Sequence, residues 1–391
     1  MCKLPIFAIL AAVLGASALA AQPMQPVSVA QLAQLLTRAR GQKDKKVARK
    51  LSTLSLTERI SAARLAQWET EFPGKHTRQA LTELADASAF LDLPPSELPH
   101  RPAPDLNAIQ LMLNHSVAYV NKTIHSLPDF YARRTTTRYE DPAARFVDRQ
   151  LLCNSARLGY FLCGPQARRI AEDAELHNPR LQVRGRFHAV VTYVDGKELH
   201  NGQRSAAVAR SNAGLVTTGE FGPILIVVLS DALKGELFWG HWEQDASGPL
   251  AVFRYSVPAA TSHYVVNLPS TSGTIAIRPA YHGEISIDPV TGAIHRITAI
   301  ADHYLKHEHM ETSMMVRYSS VVIGGKPYIC PVKGVALSRL PLFFSAAKQH
   351  SRQPVFVTRL NDTTFTGYHL FRTEMKILPN SGSSLPAPSA H

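Results

Sequence analysis

Leu250–Val257 reads LAVFRYSV and Gly283–Ile294 reads GEISIDPVTGAI. In the first run Phe253, Tyr255 and Val257 share one face of an extended chain, and Val252, Arg254 and Ser256 share the other. In the second, apolar segments flank Asp288–Gly292, a stretch of turn-forming residues. Period-two alternation bounded by turn residues predicts antiparallel strands. Working outward, further strands fit Leu237–Glu243, His263–Leu268, Thr274–Arg278, Ser313–Ile323, Tyr328–Leu337 and Thr364–Phe371, with Gly324-Gly325 as another turn. Upstream, Tyr131–Tyr139 is extended and Thr-rich, and Phe187–Val194 runs into Asp195-Gly196, a strong hairpin signal. Many short strands with few helices between them predict an antiparallel sheet. The apolar insertion Pro223–Leu233 reads as a helix lying on it, and a second insertion, about 141–178, reads as mixed and helical.

Toward the N-terminus the period changes to that of helices. Ser28 with Gln31 makes a capping-box pattern, Val27 and Leu32 a hydrophobic staple, and Gly41 a helix end. Asp44 is expected to cap a second helix, and Ser55 with Glu58 to open a third carrying Leu65, Trp68 and Phe72. A fourth spans about 76–91. The segment 94–104, PPSELPHRPAP, contains five prolines and reads as a linker closing the helical region 21–93. Asp105 then caps a long helix over 105–125. Its stripe, Leu106, Ile109, Leu113, Val117, Val120 and Ile124, needs a packing partner. The fold class is α+β, with a small N-terminal helical region and a β domain over 105–377. Beyond it, 378–391 is poor in residues that could bury and reads as a disordered tail.

Residues 1–20 have the three parts of a secretory signal: Lys3, an apolar run Leu4–Leu14, and Ala18-x-Ala20 before a cleavage point at Ala21. Export to the periplasm or beyond is therefore expected, with no membrane-spanning segment in the remaining chain. The formal charge is +12, and +11 without Lys3. No compact basic run is interleaved with aromatic stacking residues, so nucleic acid is not expected as a partner. Attraction to an anionic surface fits an exported basic chain.

Several stretches resemble a family of secreted bacterial proteins. They are LSTLSLTERISAARLAQWE (51–69), ALTELADASAFLD (80–92), SLPDFYARRTTTRYED (126–141) and GEFGPILIVVLSDALKG (219–235). HWEQDASGPLAVFRYSVP (241–258), YHGEISIDPVTGAIHRI (281–297) and YSSVVIGGKPYICPV (318–332) complete the set. This resemblance implies export and no particular activity. More distantly, the G-x-I-x-I-D-P-x-T-G-x-I hairpin at 283–294 is similar to the half-barrel of the periplasmic lipoprotein-localisation carriers. That likeness implies a curved sheet around an apolar cavity for acyl chains, and fold alone does not fix function.

Candidate chemistry is sparse. Asp302, His303, His307, Glu308 and His309 are the densest set of metal-ligand types, and on a helix His303 and His307 would share a face. They fall between predicted strands without a His-Glu-x-x-His order and read as a solvated loop, so no metal or cofactor is expected. Ser345-x-x-Lys348 and Ser230-Asp231 lack the companion motifs of penicillin-recognising enzymes, and no Gly-x-Ser-x-Gly elbow exists. Cys153 and Cys163 could close a small disulfide loop, leaving Cys330 over; three reduced cysteines fit the spacing as well. Strand alternation puts Trp239 and His241 on one face and Trp242 on the other. Trp239, Phe253, Tyr255 and Val257 are the candidate cavity-lining residues.

The leading expectation is an exported, non-enzymatic protein holding a lipid or other apolar group in the half-barrel. The first alternative is an envelope scaffold whose basic helical residues Lys43, Lys45, Lys46, Arg49 and Lys50 meet an acidic partner, although they also read as a solvated helix face. The second alternative is a hydrolase of an envelope substrate.

Overall fold

The computed structural model describes residues 25–141, 181–201, 203–204, 215–270, 273–305, 308–341 and 356–371. The signal segment, the 141–178 insertion beyond Asp141, Cys153, Cys163, His307, Ser345, Lys348 and the tail lie outside the described residues. The chain divides into two compact units, the first holding Met1–Asp92 with Glu140–Gln182 and Arg339–Arg359, the second the remainder.

In the first unit the order is β1 (Gln25–Val27), α1 (Val29–Ala39), α2 (Asp44–Leu51), β2 (Leu54–Leu56), α3 (Ala62–Glu71) and α4 (Lys75–Ala87). The capping box at Ser28 forms with both hydrogen bonds, and Val27 and Leu32 are buried together. Two expected caps are corrected. Asp44 is the first residue of α2 and caps a different helix. Its carboxylate accepts from the amides of His76 (3.1 Å) and Thr77 (2.8 Å) and from the Thr77 hydroxyl (2.6 Å), closing the N-terminus of α4. The N-cap residue of α4 is Gly74, which has no side chain to cap with; a Cβ there would lie 2.4 Å from Asp44 Oδ1. Ser55 opens no helix, because Leu54–Leu56 pairs in parallel with β1. Glu58 instead accepts from the Val29 amide at 2.9 Å, and Ser61 caps α3. Around Leu32, Leu36, Trp68 and Leu81 these elements close a core of their own.

The second unit opens with a short 3-10 turn, Pro95–Glu97, and α5 (Leu106–Ser126), capped by Asp105 as expected. Then follow β3 (Phe130–Glu140), β4 (Gln182–Val194), β5 (Lys197–His200), β6 (Gln203–Arg204), α6 (Pro223–Lys234), β7 (Glu236–Asp245) and β8 (Gly248–Val257). The remaining strands are β9 (Val266–Ser270), β10 (Gly273–Ile277), β11 (Tyr281–Ile287), β12 (Ile294–Leu305), β13 (Glu308–Ile323), β14 (Lys326–Pro341) and β15 (Phe356–Leu370).

Eleven strands form one sheet in the order β6-β5-β4-β3-β15-β14-β13-β12-β11-β8-β7, whose ends do not join. The sheet is thus open and antiparallel, and β9 and β10 form a separate hairpin. Asp195 and Gly196 turn β4 into β5 with both φ angles positive (50° and 72°), the geometry a two-residue hairpin turn requires.

One face of the sheet carries the core. Met112 and Val120 of α5 pack with Ile224, Leu225, Val228, Leu229 and Ala232 of α6 onto Phe253, Tyr255, Ile285, Ile297 and Val316. Ile109, Leu113 and Val117 join them from the expected stripe of α5, whereas Leu106, at the first turn, stays 82% exposed. The α+β class holds, with an open, curved antiparallel sheet and a long helix packed on it. Among the described residues, no helix is long and apolar enough to cross a membrane.

Candidate functional site

The expected cavity-lining residues lie inside this core. Phe253, Tyr255 and Val257 are buried, and Trp239 packs against the same cluster beneath α5 and α6. The Tyr255 hydroxyl donates to the Thr298 carbonyl oxygen at 2.6 Å, and burial raises its pKa far above the ordinary phenol range. The apolar face that could have held a ligand is filled by the protein's own side chains.

The faces assigned to the tryptophans need correction. The β7–β8 register pairs Trp239 with Phe253 and His241 with Val252, leaving Gly240 as an extra residue. This bulge puts Trp239 and Trp242 on one face, with ring centroids 4.9 Å apart, and sends His241 to the other. A single inserted residue inverts the alternation beyond it. Trp242 also holds the proline-rich segment: its Nε1–H donates to the Pro102 carbonyl at 2.8 Å, and the Arg101 guanidinium lies 4.0 Å from its ring. The end of that segment is therefore a docked strap.

On the opposite face, Arg296 bridges Glu243 (2.8 Å) and Glu284 (2.9 Å), while His241 meets Glu243 at 3.1 Å. Burial works against the Arg296 charge, but the two carboxylates outweigh it and raise its pKa. With Arg254 also meeting Glu284 at 3.3 Å, the network joins β7, β8, β11 and β12.

Helix α6 is fastened at both ends by polar groups, of which the sequence singled out only Asp231, in a different role. At its N-terminal side, Glu220 accepts from Thr217 Oγ1 (2.6 Å) and pairs with Arg134 (3.2 Å). Glu198 pairs with His200 at 2.6 Å and accepts from the amides of Gly219 and Phe221. Toward its C-terminal end, the fully buried Asp231 carboxylate accepts from the amide of His263 (2.7 Å), from His263 Nδ1 (2.6 Å) and from the Tyr281 hydroxyl (2.9 Å). The Asp231–His263 pair resembles an oriented acid–base dyad, but its contacts tie a loop and strand β11 to a helix. An acid within the apolar run ILIVVLSDALK was the available signal, because a buried carboxylate needs donors.

A neighbouring crevice of about 480 Å³ is lined by Lys234, Glu236, Ser256, Tyr281, His282 and Asp302. The His303–His309 region continues the β12–β13 ladder, with His303 opposite Met310 and Tyr304 opposite His309. His303 is thus on a strand and not on a helix, and His307 lies outside the described residues. Among the described residues no group of three or more His, Cys, Asp or Glu could hold a metal. Cys330 is a buried free thiol, and burial pushes its pKa up to about 12.

The basic residues of the first unit are arranged differently. Helix α2 buries Val47 and Leu51 and turns Lys43, Lys45, Lys46, Arg49 and Lys50 outward. The first turns of α4 add exposed Lys75, His76 and Arg78. Nearby carboxylates are engaged: Asp44 at the α4 cap, Glu58 at the α1 cap, and Glu71 with Arg40 at 2.9 Å. None of these five cations, four on α2 and Lys43 at its N-cap, is ion-paired among the described residues. Between α2 and α4 runs a groove of about 330 Å³ lined by Lys45, Arg49, Ser52, His76, Gln79 and Glu83. Compared with family models, curated proteins and solved structures, the chain matches none.

Proposed function

We propose that the protein is an exported docking protein whose basic helical unit binds an anionic surface of the cell envelope. The observation that carries this reading is the contrast between engaged acids and outward-facing cations: Asp44, Glu58 and Glu71 are engaged by other groups, while Lys43, Lys45, Lys46, Arg49 and Lys50 have no ion-pair partner among the described residues. Each basic residue near an anionic surface strengthens binding roughly fivefold, so five acting together give on the order of a thousandfold. The full chain should sediment with phosphatidylglycerol vesicles at low salt, not with phosphatidylcholine, and salt should release it. Charge reversal at Lys43, Lys45, Lys46, Arg49 and Lys50 should abolish the binding; unchanged binding in that variant would remove the reading.

A second reading, carriage of an apolar group, is favoured by the open eleven-stranded sheet with helices over its apolar face. It requires α6 to lift. Native mass spectrometry after organic extraction tests it directly, since a carrier retains a stoichiometric lipid.

A further inference from the structure

We propose that the groove between α2 and α4 is an oxyanion site that takes a phosphate group, an inference that rests on the docking reading and gives its partner a chemistry. The two helices run side by side from the same end, because Asp44 at the start of α2 caps the start of α4. Lys45 and Arg49, four residues apart, share one wall, and His76 and Gln79 stand on the other. The groove therefore offers a forked guanidinium, an ammonium, an imidazole and an amide from two sides.

A phosphate has more acceptor oxygens than a carboxylate and uses donors arriving from several directions, with arginine matching two of its oxygens at once. The helix N-terminus itself is not the site. Both Asp44 oxygens already occupy the His76 and Thr77 amides. That engagement draws Asp44 toward Thr77, whose side-chain hydrogen bond is the largest influence lowering its pKa. Ser52, the C-cap of α2, and the Glu83 carboxylate of α4 complete the lining, so the anion is drawn to Lys45, Arg49 and His76 and kept off Glu83. At about 330 Å³ the groove is at the small end of ligand sites, the scale of a headgroup.

The probes are inorganic pyrophosphate, measured by calorimetry on the full chain, and phosphatidylglycerol vesicles, measured by sedimentation, with polyglutamate as a carboxylate control. Arg49→Gln and Lys45→Gln change the groove, whereas Lys46→Gln and Lys50→Gln remove equal charge outside it. All four positions are exposed, so the fold is retained. The groove variants should weaken pyrophosphate binding about tenfold or more, the loss expected for a charge-assisted hydrogen bond, and the outer pair by much less. Pyrophosphate displacing the vesicles identifies a lipid headgroup as the source, and pyrophosphate binding without vesicle binding identifies a free phosphate. Equal losses at all four positions, with polyglutamate bound as tightly, would overturn the groove and leave the docking surface standing. Binding to none of the three probes would overturn both.

Discussion

Replacing Asp231 by alanine tests the fastening of α6 most directly. The carboxylate is fully buried and accepts three hydrogen bonds, from the His263 amide at 2.7 Å, His263 Nδ1 at 2.6 Å and the Tyr281 hydroxyl at 2.9 Å. The His263 ring is 59% exposed and recovers water when the acceptor is lost. The buried Tyr281 hydroxyl does not, and the His263 amide does so only by moving its loop. Two polar groups without acceptors cost about 1–3 kcal/mol each, so Asp231→Ala should destabilise this region by roughly 2–6 kcal/mol. Asp231→Asn keeps one acceptor oxygen in place and should cost about 1–2 kcal/mol. Hydrogen exchange resolved along the chain is the suitable assay, because it reads the opening of α6 separately from global unfolding. Exchange at the α6 amides should accelerate by roughly two to three orders of magnitude in the alanine variant, with α1–α4 unaffected. Protection of α6 unchanged in both variants would show that the carboxylate does not hold the helix down.

Gly74→Ala should destabilise the first unit by about 1–3 kcal/mol, because the new methyl would collide with Asp44 Oδ1 and displace the α4 cap; a melting temperature equal to the parent's would refute that geometry. Alkali should unfold the chain progressively above about pH 9, the ordinary value of a thiol. Burial holds Cys330 and Tyr264 protonated to about pH 12 and raises Tyr255 and Tyr318 well above the ordinary phenol range, so the folded state binds protons that the unfolded state has released. The stability these groups contribute is complete below pH 9 and falls as pH rises toward 12. Tyrosinate absorbance from the buried tyrosines should therefore rise in a cooperative step that coincides with loss of circular dichroism. Titration of these buried tyrosines without unfolding would contradict the burial. Cys330 should stay inert to thiol reagents at neutral pH until the chain is denatured.

The strands were legible because their signals are local. Alternation in LAVFRYSV and the Asp195-Gly196 turn each operate within a few residues, and the structure follows them. Tertiary contacts decided the rest. Ser55 and Glu58 have the spacing of a capping box, yet Leu54 is better satisfied pairing beside β1, which frees Glu58 to cap α1 at a separation of 29 residues. Asp44 likewise caps across 33 residues to Thr77, made possible by a glycine whose missing side chain leaves room. Gly240 shows the converse, a local event with distant effect: one bulged residue moved Trp242 to the core face, where it captured Pro102. The basic face of α2 was visible in the sequence. What was hidden is its neighbour, since His76 and Gln79 reach the same groove only through the packing of α4 on α2.

Filling of the apolar face sets an energetic condition on lipid carriage. Lifting α6 would expose Ile224, Leu225, Val228 and Leu229, each contributing about 1.5–3 kcal/mol while buried, a total of roughly 6–12 kcal/mol. An acyl chain of about fifteen methylenes, at about 0.8 kcal/mol each, returns roughly 12 kcal/mol on entering the same space. The apolar exchange alone is thus near balance or slightly favourable. The decision falls to the polar fastenings: Asp231 at one end of the helix, and Glu198 and Glu220 at the other, all of which must break as well. A carrier with this architecture would bind lipid weakly until those fastenings are released. Asp231→Ala should then increase stoichiometric lipid retention in native mass spectra. If the variant exchanges its α6 amides freely and still retains none, the helix is part of the core and not a lid, and the docking reading stands without a carrier function beside it.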